Sequence, residues 1–333
     1  MKIRADRTLV LVLMAIGALG AMVLSVAFGA TTIDLLGAVT GDSPLDRAIL
    51  LRERLPRTII GASVGASLAA AGMAFQAVLR NPLADPYVIG VAGGSAVGGT
   101  LAMILPVSVI LGQAGVPLFA FVFGLLSIAA TSWLSRDSRG RINVWEVLLV
   151  GVIFNTFASA VIMFIKSVVK AQKAQEMLMW LMGTLSSDVR GPWAIGMTVA
   201  MTVAGGVTLF MISPALNALT VGDEDAASVG VDTHRVTRVA LAAGSLLVAS
   251  AVSVSGMIGF VGLIVPHGVR VLVGSDHRWA LPASMFTGAA FLVLADVATR
   301  LLFPVFETEA PVGVLTALVG GPVFVWLLRR GNR

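Results

Sequence analysis

The side chains able to do chemistry are few, and they gather in short clusters. Cysteine is absent, so the chain forms neither a disulfide nor a thiolate site, and its three histidines, His234, His267 and His277, do not form a ligand motif. No metal-ligand set can be assembled from that inventory. The dipeptide Gly-Lys never occurs. A phosphate-cradling loop of the Gly-x-x-x-x-Gly-Lys-Ser/Thr type is therefore excluded, and ATP-driven work would need a separate ATPase. The notable charge sits in two places. Arg52, Arg54 and Arg57 precede one apolar run and Arg300 closes another, with Asp296 four residues before it, a spacing that pairs them across one helical turn. Asp223, Glu224 and Asp225 follow Gly222 and open the stretch Ala226-Ala227-Ser228-Val229 up to Gly230. Acids there suit a helix N-terminus, and Gly230 suits a left-handed stop. So short a helix is marginal alone in water, and docking into a partner's groove would give it a purpose.

Two further segments carry backbone chemistry. In Arg80-Asn81-Pro82-Leu83-Ala84-Asp85-Pro86, Pro82 stops one helix while Asp85 caps the next with Pro86 at its first position. Gly90, Gly93, Gly94, Gly98 and Gly99 then leave that next helix a face without side chains. In Gly259 to Arg270, Pro266 breaks an apolar segment and frees backbone groups that neighbours or water must satisfy. His267 beside it reads as structural rather than as a proton carrier. Gly61, Gly65, Ala69 and Gly72 share one ridge, a spacing that lets helices approach closely in lipid. The methionines, Met177, Met179 and Met182 among them, read as packing rather than soft-metal ligands.

The elements that must position these groups follow from composition. Of 333 residues 57% are hydrophobic and only 12% charged, about half the charge of an ordinary soluble domain, and mean hydropathy is +0.94. That is an all-α polytopic membrane protein: the apolar runs are continuous rather than alternating. A ruler of about 20 residues per crossing gives ten spans, near 8–29, 57–79, 87–106, 115–135, 144–166, 192–212, 237–255, 258–273, 280–302 and 311–328. The seventh and eighth are divided by a turn at Ser255 and Gly256. The apolar run after Lys2, Arg4 and Arg7 is longer than a signal h-region of about 7–15 residues, and reads as an uncleaved first span. Met177 to Gly183 is too short to cross and reads as a re-entrant or interfacial helix.

Ten spans put both termini on one side. With that side cytoplasmic, fourteen of the 23 Lys and Arg fall inside: Lys2, Arg4, Arg7, Arg80, Arg136, Arg139, Arg141, Arg235, Arg238, Arg270, Arg278, Arg329, Arg330 and Arg333. The bias is diluted by outer positives, which fit either a negatively charged soluble partner or lipid phosphate. The net charge of +5 belongs to this loop bias rather than to nucleic-acid binding. One membrane domain, residues 1–333, accounts for the chain.

In their order along the chain these segments resemble the permease subunits of ATP-binding-cassette importers for iron–siderophore, heme and cobalamin, the type II importers. The resemblance runs from about Leu51 to Leu328. It rests on Arg54-Leu55-Pro56-Arg57, Asn81 to Pro86, Gly222-Asp223-Glu224 with Gly230, and Gly259 to Arg270. Asp276-His277-Arg278, Ala295-Asp296 with Arg300, and Pro311-Val312-Gly313 leading to Gly320-Gly321-Pro322 complete it. Glu309-Ala310-Pro311 departs from the Glu-Leu-Pro common in that family.

The resemblance implies ten helices per subunit, a homodimer with the pathway along its axis, two cytoplasmic ATPase subunits that carry ATP and Mg, and a periplasmic or lipid-anchored binding protein. It implies that Gly222 to Gly230 is the ATPase-coupling helix, that Arg54, Arg57 and Arg300 engage carboxylates of the binding protein, and that Asn81, Pro82 and Leu83 lie at the cytoplasmic gate. No cofactor and no metal site are expected on this chain. The location implied is the bacterial inner membrane, and the cargo a ferric siderophore or heme, with cobalamin as the alternative. Two readings of other classes are weaker. A proton-coupled secondary transporter places ionisable groups within its spans, whereas here midspan acids are absent. An intramembrane enzyme would need a nucleophile, paired carboxylates or a histidine cluster.

Overall fold

The computed structural model describes residues 6–137, 140–185, 192–303 and 308–331. Lys2, Arg4, Arg139 and Arg333, counted above among the inner positives, lie outside them. The described residues are helical almost throughout, with one isolated bridge, Arg136 to Ile142. Helices are the economical choice for a chain crossing hydrocarbon, because each satisfies its own backbone.

Sixteen helices are described: α1 (Arg7–Ala27), α2 (Leu35–Thr40), α3 (Pro44–Ile49), α4 (Leu55–Val78), α5 (Val91–Ile104), α6 (Val107–Leu111), α7 (Gly115–Leu134), α8 (Val144–Val168), α9 (Ala171–Leu181), α10 (Pro192–Met211), α11 (Ser213–Val221), α12 (Asp223–Ser228), α13 (Thr233–Ser255), α14 (Val261–Val273), α15 (His277–Leu301) and α16 (Val312–Gly331). Seven helices are long and apolar enough to span a membrane, and α5, α14 and α16 are shorter apolar helices. Together they match the ten expected segments. The second differs most. It begins at Pro44 rather than near residue 57 and runs to Val78 as one 35-residue helix. Leu50–Arg54 form a π-type turn joining α3 to α4, and the Leu55 N–H reaches the Leu50 carbonyl. Pro56, next along, has no N–H to offer. Arg52 and Arg54 therefore lie within a helix, not before one.

α4 is the axis of the fold. Nearly every residue from Arg57 to Val78 is buried, with α10, α13, α14 and α15 packed around it. Its small residues permit this. A side chain at Gly65 would overlap the Gly288 carbonyl of α15, and one at Gly72 would overlap the Gly262 carbonyl of α14. The glycines at α5 serve three sides rather than one face: Gly94 and Gly98 meet α7, Gly93 and the preceding Gly90 meet α8, and Gly99 meets Trp180 of α9.

Pro266 does not break α14, correcting the expectation from sequence. It costs one helical bond, the one that would end on Gly262, and Gln76 Nε2 of α4 donates to the Gly262 and Leu263 carbonyls at 3.3 and 3.4 Å. The turn between α13 and α14 is as expected, with Gly256 at φ +67°. Met177 lies fully buried on α9, and the chain beyond that helix is stitched to the turn by Thr184 N–H donating to the Ser255 carbonyl at 2.8 Å.

Gly65→Leu, which forces a side chain into the α4–α15 contact, is expected to destabilise the bundle by at least about 3 kcal/mol. Thermal unfolding in detergent measures it, with Gly196→Ala as control, since nothing lies within 4 Å of that position.

Candidate functional site

Two polar clusters stand at opposite ends of α4 and α15. The first is built from Arg54 and Arg57 on the one chain segment and Asp296 and Arg300 on the other. Arg57 Nε and Nη2 donate to Asp296 Oδ1 at 3.0 and 2.9 Å, and its Nη1 donates to Glu309 Oε2 at 2.9 Å. Arg300 Nε reaches Asp296 Oδ2 at 3.1 Å, the one-turn pair expected from spacing. The remaining Arg300 nitrogens donate to Ser25 Oγ at 2.7 Å and to the Ser25 and Phe28 carbonyls at 3.0 and 2.9 Å. Arg54 Nη1 donates to the Val26 and Ala27 carbonyls, both at 2.8 Å. Arg54 and Arg300 thus take the carbonyls that the last turn of α1 leaves open, where the helix dipole also favours cations.

In this single chain, the three arginines expected to engage a binding protein are tied to its own helix ends. Their exposures are 3%, 4% and 3%, and the bonds above engage part of each guanidinium's five N–H donors. A guanidinium so placed positions helix ends, and each keeps some donors beyond those bonds. Exposed positive charge near this end comes instead from Arg47 and Arg52.

The second cluster joins α12 to the bundle. α12 carries Asp223, Glu224 and Asp225 in its first turn, and Gly230 follows at φ +84°, the left-handed stop expected. Ala226 is buried against the protein, while Glu224, Asp225, Ala227, Ser228 and Val229 are exposed. Arg80, which ends α4 at φ +48°, pairs with Asp223 and donates from Nε to the Leu219 carbonyl at 2.9 Å. Beside α12 lies an open groove of about 470 Å³ touching Asn143, Glu224, Ala227 and Thr237.

Asn81, Pro82 and Leu83 are exposed in a tight turn, with Asn81 Oδ1 accepting from Leu83 N–H at 2.9 Å. Asp85 Oδ1 accepts from Tyr87 N–H at 2.8 Å, the expected cap. Burial raises the Asp85 carboxyl above its ordinary value, against that bond.

Three positioning residues escaped sequence reading. Tyr87 Oη both donates to the Ile258 carbonyl and accepts from Ile258 N–H, each at 2.8 Å, tying this turn to the one before α14. Gln76 satisfies α14 and accepts from Arg270. Asn217 bridges Asp276 and His277. The single tyrosine of the chain was the one signal that composition offered.

The profile of the FecCD transport family matches residues 9–330. The chain belongs to that family. It is 43% identical over 277 residues to the cobalamin import system permease protein BtuC of Halobacterium salinarum, covering 83% of this chain and 72% of that one. It is 34% identical over 325 residues to the hemin transport system permease protein HmuU of Yersinia pestis, covering 97% and 93%. Among solved structures, a metal-chelate type ABC transporter in an inward-facing conformation superposes with a TM-score of 0.83 at 28% identity, over 97% of this chain and 99% of that one. This FecCD chain is therefore a multi-pass permease of an ABC importer with the type II importer permease fold, as its motifs led one to expect. Membership sets aside the proton-coupled and enzymatic readings.

In the FecCD chain, Asp296→Asn removes one partner from a buried set and leaves Arg57 and Arg300 undercompensated. It is expected to cost about 3–5 kcal/mol, whereas Arg52→Glu at the exposed neighbour should change stability by no more than about 0.5 kcal/mol. Denaturant unfolding of both variants in the same detergent checks the contrast. Tyr87→Phe, which strands the Ile258 backbone groups, should cost about 1–3 kcal/mol by the same measurement.

Proposed function

We propose that two copies of this chain form the translocation pathway for a ferric siderophore or heme across the plasma membrane, driven by two ATPase subunits that hold ATP and Mg. Both termini and α12 face the cytoplasm in this reading, and a binding protein delivers cargo to the Arg57 end. The observation that carries it is α12. Six residues long, acidic in its first turn, buried only at Ala226 and flanked by Val221 and Val229, each 71% exposed, it is a projecting element with apolar surface to cover and a groove at its side. A cytoplasmic ATPase is the partner that such an element fits. Arg80 would carry its displacement directly into α4.

Cargo passes intact in this reading, since no ligand set among the described residues could strip the metal ion. The hemin permease relative, similar over 97% of this chain, supports a chelate. Cobalamin is the second reading, and the identity of 43% to the haloarchaeal cobalamin permease favours it specifically. At the other end, Arg54, Arg57 and Arg300 engage carboxylates of the binding protein, with exposed Arg47 and Arg52 beside them to steer its approach. Asn81, Pro82 and Leu83 stand at the cytoplasmic gate.

Co-expression with the ATPase encoded beside this chain should give a two-plus-two complex. Replacing Asp223, Glu224 and Asp225 with alanine should lower its transport-coupled ATP hydrolysis by about tenfold while leaving unfolding unchanged; full hydrolysis in that variant would remove the coupling role from α12. Uptake into liposomes of hemin, a ferric hydroxamate and cobalamin, each with its binding protein, decides the cargo. Arg52→Glu should slow binding-protein association and reduce its salt dependence, as a rim charge does.

A further inference from the structure

A second cavity, of about 280 Å³, opens at the α12 end between the C-terminus of α4 and the starts of the elements that follow α14. It is lined by Gln76, Arg80, Thr220, Arg270, Ser275 and His277. The volume holds several waters at about 30 Å³ each, so a small polyatomic anion fits. The importer reading above uses Arg80 and Pro82 of its rim but assigns the cavity no ligand.

Its charge is one-sided. Arg270 donates to Gln76 and to the Met73 sulfur at 3.3 Å, both uncharged, and among the described residues it makes no ion pair with a carboxylate. Arg80 shares the cavity, with Asp223 as its partner on the exposed side. Asp276 lies close but is engaged elsewhere: it accepts from Asn217 Nδ2 at 2.7 Å and from Arg278 N–H at 3.1 Å, with Arg7 at 4.0 Å. Burial pushes the Asp276 carboxyl up, but those hydrogen bonds and the charges of Arg278 and Arg7 together hold it below its ordinary value. It remains an anion committed to its own partners.

His277 adds the specific feature. It is 3% exposed. A carboxylate only accepts, so the bond to Asp276 fixes the Asn217 amide with its nitrogen there and its oxygen toward His277. Asn217 Oδ1 lies 2.6 Å from His277 Nδ1, which must therefore carry the hydrogen. The other ring nitrogen, Nε2, is buried and has no hydrogen-bond partner among the described residues. A buried acceptor left without a donor is unfavourable unless something bonds it. In the neutral ring it is an acceptor. The missing group must therefore offer a proton to Nε2 while presenting negative oxygens to two arginines.

A phosphate carrying one proton meets both demands. We propose that this cavity binds hydrogen phosphate or the protonated phosphate of a monoester, its charged oxygens on Arg80 and Arg270 and its P–OH donating to His277 Nε2. Guanidinium groups are well matched to phosphate oxygens. The group comes either free from solution or as the headgroup of phosphatidic acid.

The test uses the purified full chain in neutral detergent at about pH 8, above the ordinary histidine value of about 6.5, at constant ionic strength. Inorganic phosphate, followed by calorimetry and by thermal unfolding, should bind saturably, and sulfate, which has no O–H there, at least about tenfold more weakly. His277→Phe should abolish the preference for phosphate, and Arg270→Lys should weaken binding while retaining the preference. In nanodiscs, loss of the phosphate effect with phosphatidic acid but not with phosphatidylcholine assigns the site to the lipid; an effect undiminished in both assigns it to free phosphate, and either supports the proposal. Equal responses to phosphate and sulfate, or no saturation, overturn it without needing any variant to fold. Acetate binding as tightly as phosphate also overturns it, and marks the cavity as a seat for a partner's carboxylate.

Discussion

Charge held away from water at the Arg57 end governs the rest of this structure. Three guanidiniums and two carboxylates share a site where α1, α4, α15 and the approach to α16 converge, and the cations divide between pairing the carboxylates and closing α1. Arg57 joins α4 to Asp296 and Glu309. Arg300 and Arg54 finish α1 by taking its last carbonyls. Such a set adds little net stability compared with an apolar core, because desolvation offsets the attraction. It does make the wrong arrangement expensive, since any slip of α4 against α15 leaves a buried charge alone. Register is what the cluster enforces.

Close packing is the complementary constraint. Lipid tails are as apolar as the helix surfaces, so association in the bilayer relies on contact rather than on expulsion of water. Gly65 and Gly72 bring α4 to within backbone distance of α15 and α14. At that separation few side chains intervene, and any backbone group left open must be served by a specific neighbour. Gln76 serves the carbonyl that Pro266 abandons, and Tyr87 serves both backbone groups of Ile258. Gln76 and Tyr87 are buried polar residues that these tight backbone contacts require.

The same two helices carry both polar ends. Arg57 and Arg80 bound the buried length of α4, 23 residues apart, or about 35 Å at 1.5 Å each; His277 and Arg300 similarly bound α15. A helix buried on all sides and fixed at each end moves as a rod. In the proposed reading, a push on α12 received by Arg80 would reach the Arg57 cluster along α4 without any intermediate having to bend.

Hydropathy alone determined that the chain is a helical membrane protein with about ten apolar segments, because continuous runs of about 20 residues admit no other solution in lipid. Local signals also sufficed for the Asp85 cap, the Gly230 stop, the Ser255–Gly256 turn and the Asp296–Arg300 pair, each set by neighbours within a few residues. What spacing could not say was where a long side chain ends. Arg54, Arg57 and Arg300 look like outer charges in the sequence and are interior ties in the structure, because their partners Val26, Asp296 and Ser25 are distant in the chain and meet them only after α1, α4 and α15 assemble. Pro266 likewise looks like a break until Gln76 arrives from another helix. The unpartnered nitrogen of His277 is visible only once Asn217 has taken the other one. Composition and periodicity settle what the solvent demands of each segment; only the packed bundle decides which polar groups find one another.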